Sequence, residues 1–204
     1  MTYGVYELTA GRPTGVLADV WGRSLVRDVV LVAGAAGAVG LAAQISFPVP
    51  GSPVPITGQT FAVLLVGASL GATRGAAGML LYVMAGVLGV PWFADGASGW
   101  PSATAGYLVG FVLAAALTGQ LAALGGDRRP VHTIGLMAAG NALIYLVGVP
   151  WLAFSTGVGL TTAVSLGLTP YLLGDVLKML LAAGLLPGAW ALVRRHAGTG
   201  HDRY

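Results

Sequence analysis

Long apolar runs alternate along the chain with short breaks that contain proline, glycine or charged residues. A helix needs about 20 mostly apolar residues to cross a bilayer. Measured against that length, the pattern predicts six membrane-spanning helices, at residues 29–46, 56–73, 75–92, 105–124, 131–154 and 170–193. The runs lack the alternation of apolar and polar residues that marks a transmembrane β-strand. The hydropathy pattern therefore predicts an all-α membrane protein.

Composition agrees with this fold class. Of the 204 residues, 56% are hydrophobic and 8% are charged, whereas soluble domains carry about 25% charged residues. So few charges cannot cover a soluble surface, and most of the surface must face lipid. One transmembrane domain is expected over residues 29–193, between a cytoplasmic N-terminal segment at 1–28 and a cytoplasmic tail at 194–204. The first apolar run begins only near Val29 and others follow it, so no removable signal peptide is expected.

Basic residues predict the orientation of the helices. If the six predicted helices cross the membrane in alternating directions, every basic residue except Lys178 falls on the same side. These residues are Arg12, Arg23, Arg27, Arg74, Arg128, Arg129, Arg194, Arg195 and Arg203. The loops on the opposite side contain no Lys or Arg. Because basic loops stay in the cytoplasm, both termini are expected there. The net charge of +3 is therefore a topology signal, and no nucleic-acid partner is expected, since no aromatic-interleaved basic patch is present.

The segment before the first run has an amphipathic pattern. Leu17, Val20, Trp21 and Leu25 recur at near-helical spacing over residues 16–28, with arginines between them. The pattern predicts a short helix lying on the cytoplasmic membrane surface. An extension of the first spanning helix is the open alternative.

Two charges stand out within the last run. Asp175 and Lys178 are the acid and base within the predicted spans, and their spacing of three places them on one helix face. Thr169 as N-cap and Pro170 after it predict where this helix begins. The pair therefore lies roughly 8–12 Å below the outer end of the helix. Intramembrane charges usually face a bundle interior or a ligand, so a binding role is favoured over a merely structural ion pair.

Aromatic and uncharged polar residues add candidates for the same site. The loop after the third run carries Trp92, Phe93, Trp100 and Tyr107, which fit either an interfacial aromatic belt or the walls of a pocket. A proline-stiffened loop, FPVPGSPVPITGQTF, lies on the same side. The uncharged polar residues within spans are Gln59, Asn141 and Tyr145. Hydrogen bonding between helices is the favoured role for these three, and the first two remain candidate substrate contacts.

The first run has small residues at four-residue spacing in two registers: Ala33 with Gly37, and Gly34 with Ala38 and Ala42. Such a flat face lets another helix approach closely, either within the bundle or from a partner protein.

Other chemistry is not indicated. The chain has no cysteine, and its three histidines form no metal-ligand pattern. A G-x-S-x-G match at 67–71 lies inside an apolar run, where it fits helix packing better than a hydrolase turn. No phosphate-binding G-x-x-x-x-G-K-[ST] loop is present. We therefore expect no enzymatic activity, cofactor or metal.

Four stretches of the chain resemble the BioY family, the biotin-specific substrate-binding (S) components of energy-coupling factor (ECF) transporters. They are PVPITGQTFAVLLVGASLG, LLYVMAGVLGVPWFADG, TAGYLVGF and PYLLGDVLKMLLAA, the last matching the family's P-x-x-x-GD-x-x-K signature. The resemblance covers roughly residues 30–193. Gly58 stands where the family often has Leu, and Ala103 and Ala105 stand in place of the usual Pro and Gly.

The resemblance implies a six-helix ECF S-component bundle in a bacterial cell membrane, with an outward-facing biotin site. It implies two kinds of partner: a transmembrane coupling (T) subunit, docked on the small-residue face of the first helix, and two ATP-binding cassette ATPases that bind the ATP. Uptake without these partners stays open. With biotin as ligand, Asp175 would accept a ureido N–H, and Lys178 would donate to the carbonyl or carboxylate. The rings of Trp92, Phe93 and Tyr107 would cover the apolar part.

Three alternatives stay open at this point. The chain could be an S component for another vitamin. It could be an intramembrane enzyme with Asp175 as base, although no paired nucleophile or metal ligand is visible. It could also be a structural membrane protein whose Asp175–Lys178 pair binds no small molecule.

Overall fold

Residues 15–20 and 24–198 are described by the computed structural model, with side chains to residue 195. Within them the α-helices are α1 (Leu25–Ala43), α2 (Gln59–Leu70), α3 (Ala72–Val87), α4 (Ala105–Ala123), α5 (Pro130–Thr156), α6 (Leu160–Gly167) and α7 (Leu172–Gly198). Short 3-10 turns lie at Leu17–Val20, Ala94–Gly96 and Thr169–Tyr171. The helical fold class predicted from hydropathy is confirmed.

Four stretches of the described chain are long and apolar enough to cross a membrane: Leu25–Ala43, Ala105–Ala123, Pro130–Thr156 and Leu160–Arg195. α2 and α3 are apolar but have only 12 and 16 residues. They are therefore about 18 and 24 Å long, against about 30 Å of bilayer hydrocarbon. The predicted runs at 56–73 and 75–92 thus contain shorter helices than their hydropathy indicated.

The chain turns sharply between α2 and α3 at Gly71, whose φ of 86° favours glycine. Gly119 of α4 lies directly against this turn, since a Cβ there would lie 2.3 Å from the backbone nitrogen of Ala72. Gly67 likewise brings α2 onto α4, because a Cβ would lie 2.5 Å from the carbonyl oxygen of Ala115. The small residues around the turn therefore serve helix packing.

α4 is the central helix of the bundle. It packs against α2, α3 and α5, while α7 packs against α5 and α2. A two-residue antiparallel ladder, β1 (Ser46–Phe47) with β2 (Ile56–Thr57), closes the proline-rich loop ahead of α2. The sequence predicted no strand here, because two residues cannot display a periodicity. The ladder fixes Thr57 at the entrance to α2.

The chain between α5 and α7 differs from the prediction. α6 was not expected, since its eight residues are far shorter than a membrane span. Thr169 does not cap α7; it belongs to a 3-10 turn with Pro170, and its hydroxyl donates to the carbonyl of Val164 at 3.3 Å. α7 begins only at Leu172. The predicted cap was wrong because Pro170 lies in the 3-10 turn and not in the first turn of α7.

The N-terminal segment is not one continuous helix. Ser24 has an extended backbone and caps α1 by accepting from the backbone N–H of Arg27 at 3.1 Å. α1 therefore begins at Leu25, earlier than predicted, while Leu17–Val20 forms a separate turn. Trp21 and Arg23, which belonged to the amphipathic pattern, lie outside the described residues, as do Arg12 and Arg203.

The proposed docking residues lie on an open part of α1. Ala33, Gly34 and Ala38 are exposed, while Gly37 and Ala42 are half-buried. A Cβ added at either glycine would meet no atom within 4 Å. Within the described structure, this part of α1 is therefore available to another helix or to lipid.

A buried acid joins the α4–α5 loop to α7. Asp127 is fully buried and accepts hydrogen bonds from the indole N–H of Trp190 and from Arg128. The guanidinium of Arg128 lies 3.7 Å from the centre of the Trp190 ring and donates to the carbonyl of Gly15 at 2.9 Å. Burial raises the pKa of the Asp127 carboxyl above its ordinary value, against the opposing effect of these hydrogen bonds. The cluster ties the loop, α7 and the N-terminal segment together.

Candidate ligand-binding site

A cavity of about 410 Å³ lies among the start of α2, the α3–α4 loop, α4, α5 and the start of α7. Its volume falls in the usual range for small-molecule sites. Five of the seven residues predicted to contact substrate line it: Gln59, Phe93, Tyr107, Asp175 and Lys178. The other two, Trp92 and Asn141, are not among the lining residues.

Lys178 is fixed at the wall of the cavity by its neighbours. Its ammonium donates to the carbonyl of Thr57 at 3.0 Å and to the hydroxyl of Thr60 at 2.8 Å. It also faces the Oδ1 atom of Asp175 at 3.5 Å. An ammonium has three N–H donors. Two of them are therefore used on the start of α2, which ties that segment to α7.

Asp175 presents one oxygen without a hydrogen bond. It is 3% exposed, and its Oδ2 atom accepts a hydrogen bond from the hydroxyl of Tyr145. Its Oδ1 atom takes no hydrogen bond, although it lies opposite the Lys178 ammonium. A buried acceptor left without a donor costs free energy. This carboxylate is therefore poised to receive an N–H or O–H group from a ligand.

Aromatic rings line the cavity beside these charges. Tyr107 and Tyr145 meet edge to face with ring centres 6.4 Å apart, and the Tyr107 hydroxyl donates to the carbonyl of Gly167 at 2.8 Å. Phe111 and Ile144 supply further apolar surface. The walls can thus cover an apolar ring or chain while the polar groups set its orientation.

Trp92 supports the α3–α4 loop from behind. Its indole N–H donates to the carbonyl of Tyr82 at 3.0 Å, and the two rings lie 5.2 Å apart. Gln59 donates to the Tyr82 hydroxyl at 2.7 Å, and Gln44 donates to the carbonyls of Trp92 and Phe93, each at 3.2 Å. The structure therefore assigns Trp92 a loop-holding contact, while the neighbouring Phe93 ring lines the cavity.

The proline-rich loop is held over the cavity by hydrogen bonds to the opposite side. The hydroxyl of Ser52 donates to the carbonyl of Leu166 at 2.9 Å, and the Tyr171 hydroxyl donates to the carbonyl of Val54. Val54 and Tyr171 both line the cavity. The loop, α6 and the turn before α7 thus form one hydrogen-bonded rim.

Asn141 lies deeper in the bundle. It is 7% exposed, and its Oδ1 atom has no hydrogen-bond partner within the described structure. Ile144 and Tyr145 follow it at spacings of three and four, so all three share a face of α5. Asn141 therefore lies one turn beyond the cavity lining.

Sequence reasoning missed several residues of the site. Tyr145 was noticed only as a polar residue suited to hydrogen bonding between helices, and that contact, with Asp175, proves to lie at the cavity. Thr57 and Thr60 were not singled out, because short hydroxyl residues at a helix start are common. Only their position opposite Lys178 reveals their part in the site.

Comparisons with known proteins agree with one another. The BioY family model matches residues 13–195. The biotin transporter BioY of Rhizobium etli is 36% identical over 170 residues, covering 77% of this chain and 89% of that protein. Biotin transporter BioY2 of Lactococcus lactis is 34% identical over 150 residues, covering 72% of this chain and 82% of its own length.

The fold has a solved counterpart. The crystal structure of the S-component for biotin from an ECF-type ABC transporter superposes with a TM-score of 0.70 at 22% sequence identity. The alignment covers 85% of this chain and 92% of the other. At this identity the match shows a shared fold, and that fold is the one expected from the sequence motifs. On the family match and the relatives together, the chain belongs to the BioY family.

Proposed function

We propose that this chain is the biotin-binding S component of an ECF-type transporter and takes up biotin across the cell membrane. The observation that carries the proposal is the buried Asp175 carboxylate at the wall of a largely apolar cavity. Its Oδ1 atom lies beside the Lys178 ammonium but accepts no hydrogen bond. The names of the relatives supply the ligand, since the matched proteins are biotin transporters. The role is that of a transport component and not of an enzyme.

The polar end of the cavity matches the ureido group of biotin. That group has two N–H donors, and the Oδ1 atom of Asp175 lacks a donor. A carboxylate placed there would instead meet a second carboxylate. We therefore orient the ureido ring toward Asp175, whose Oδ1 atom lies 3.5 Å from the Lys178 ammonium. The fused rings and the valeryl chain then pack against Phe93, Tyr107 and Phe111.

Two predicted contacts take indirect roles in this proposal. Trp92 holds the α3–α4 loop that carries Phe93, and Gln59 holds Tyr82 beneath the same loop. Asn141 remains a proposed substrate contact, reached only if the ligand extends one helical turn below Ile144. Its unbonded Oδ1 atom supports that role.

We further propose that α2 and α3 both cross the membrane, giving six spans with both termini in the cytoplasm. Each is short, but each continues into ordered chain: β2 precedes α2, and a hydrogen-bonded loop follows α3. The basic residues at Arg74 and Arg128–Arg129 then lie on the cytoplasmic side, as the positive-inside rule requires. The cavity, at the opposite end of the bundle, opens outward.

The proposed partners are a transmembrane T subunit and two ATP-binding cassette ATPases. The open small-residue face of α1, around Gly34 and Gly37, supports helix docking because nothing in the described chain covers it. The chain has no phosphate-binding loop of its own, so ATP would be bound by the ATPases. The location proposed is a bacterial cell membrane.

Ligand screening tests the function. Biotin should raise the melting temperature of the detergent-purified chain, because a ligand stabilises the state that binds it. Other vitamins should not. Asp175→Asn keeps the shape but removes the charged acceptor, and it should weaken biotin binding by about tenfold or more. Stabilisation by a different vitamin, or full affinity in Asp175→Asn, would contradict the proposal.

A further inference from the structure

The C-terminal end of α1 contacts the α3–α4 loop, which forms one wall of the cavity. Among the described residues that line the cavity, none belongs to α1. Gln44 directly follows this helix, and its side-chain amide donates to three carbonyl oxygens: that of Gly40 at 3.0 Å, and those of Trp92 and Phe93 at 3.2 Å each. Carbonyl oxygens only accept hydrogen bonds, so the NH2 group of the amide must face them. Two of these bonds therefore join α1 to the wall of the cavity.

Phe93 links these hydrogen bonds to the cavity. Its ring is 6% exposed, lines the cavity, and meets the Tyr82 ring edge to face with 5.4 Å between the ring centres. The ring also lies directly on α3, because Gly86 leaves no room for a Cβ beside it. The ring is thus packed against α3, while the carbonyl of the same residue is bonded to Gln44. Gln44 therefore fixes the backbone from which this part of the wall projects.

Helix capping alone does not account for the contacts of Gln44. A side chain at a helix end can satisfy a carbonyl of the last turn, and the bond to Gly40 does so. The carbonyls of Trp92 and Phe93, however, are 48 and 49 residues away in the chain. Gly40 lies one turn before Gln44 on the same helix face. It brings α1 close to the loop, since a Cβ there would lie 3.1 Å from the Trp92 ring. This face of α1 is therefore built against the loop.

Resting on the proposed function, we propose that Gln44 is a positioning residue for biotin and acts through Phe93. The Phe93 ring covers the apolar part of the bound ligand, so a wall that is already in place favours binding. Without the donors of Gln44, the loop carbonyls turn toward water and the loop samples more positions. Binding must then order the wall, which has an entropic cost. The loss of affinity appears chiefly as faster dissociation, because most changes within one binding site alter that rate.

Association and dissociation rates of labelled biotin, measured on the full chain in lipid nanodiscs, test this inference with matched variants. Gln44→Met keeps the length of the side chain but removes both N–H donors. We expect it to raise the biotin Kd by about threefold to tenfold, mainly through faster dissociation. Gln44→Lys supplies N–H donors again, and its Kd should lie within about twofold of the parent value. Gln120→Met makes the same change at an exposed position near the far end of α4, outside the cavity lining, and should leave both rates unchanged.

A double-mutant cycle separates positioning from a general loss of stability. If Gln44 acts through Phe93, Gln44→Met should change the Kd of a Phe93→Leu protein by less than about twofold. Three results would overturn the inference while the proposed function stands: unchanged biotin kinetics in Gln44→Met, an equal loss of affinity in Gln44→Lys or Gln120→Met, or an undiminished effect in the Phe93→Leu background. Failure of the parent chain to bind biotin overturns both.

Discussion

Replacing Lys178 with methionine tests how the buried pair works, because it removes the charge but keeps most of the side-chain volume. In the structure the ammonium contacts the Thr57 carbonyl, the Thr60 hydroxyl and the Asp175 carboxylate. Lys178→Met leaves that buried carboxylate without its cation. The remaining hydrogen bond to Asp175 comes from the neutral Tyr145 hydroxyl.

The size of the effect follows from these contacts. Removing one partner of a buried ion pair typically costs about 3–5 kcal/mol, and we expect the lower end because the Lys178 side chain is 19% exposed. For a chain of this length, about 3 kcal/mol lowers the melting temperature by about 6–12 °C. Biotin binding should also weaken by about tenfold to hundredfold, because the oxygen proposed to accept the ureido N–H loses the cation beside it.

The double variant Asp175→Asn/Lys178→Met separates stability from binding. Without either charge, most of the lost melting temperature should return, because the uncompensated carboxylate is gone. Biotin affinity should stay low, because the charged acceptor is gone as well. Thermal unfolding and calorimetric titration of the same preparations measure both quantities. A Lys178→Met protein as stable as the parent, or a double variant that binds biotin as tightly, would refute the reasoning.

Three further changes test other parts of the structure. Tyr145→Phe removes the donor to Asp175 and should raise the biotin Kd by about threefold to tenfold; titration that shows no change would contradict this contact. Gly119→Ala forces a Cβ onto backbone atoms 2.3 Å away and should destabilise by about 1–3 kcal/mol or more, whereas Gly184→Ala, with open space around it, should not lower the melting temperature. Because the pKa of Asp127 is raised in the folded state, its contribution to stability is present below the ordinary pKa and is lost as pH rises through the raised value. The melting temperature of the parent relative to Asp127→Asn should therefore fall from about pH 4 to pH 7, and an opposite slope would show that the hydrogen bonds to Asp127 outweigh its burial.

The long helices could be predicted from hydropathy, but the place where α2 ends could not. α1, α4, α5 and α7 are long apolar runs, and the sequence predicted each of them. The end of α2 at Gly71 was hidden because the apolar run continues through the turn. That turn forms because Gly71 adopts positive φ and Gly119 leaves room for it. This contact depends on the position of α4, which the hydropathy of the α2 segment does not reveal.

For the candidate site too, some residues could be predicted from the sequence and others only from the structure. Asp175 and Lys178 stood out because charges are rare within apolar helices, and the structure places both at the cavity. Tyr145 and Thr60 reach the pair from α5 and α2, which only the tertiary packing brings together. Trp92 was expected at the pocket wall once the family resemblance implied biotin as ligand, but its indole N–H bonds to the carbonyl of Tyr82 instead. The substrate contacts themselves remain predictions.

The central claim is that the Asp175 carboxylate receives a ureido N–H of biotin. Competition between labelled biotin and a biotin methylated on both ureido nitrogens, measured on the purified full-length chain, tests it most directly. Unlabelled biotin should displace the label fully, while the methylated analogue, which has no ureido N–H, should need at least about tenfold higher concentration. Equal displacement by the two ligands would contradict the claim.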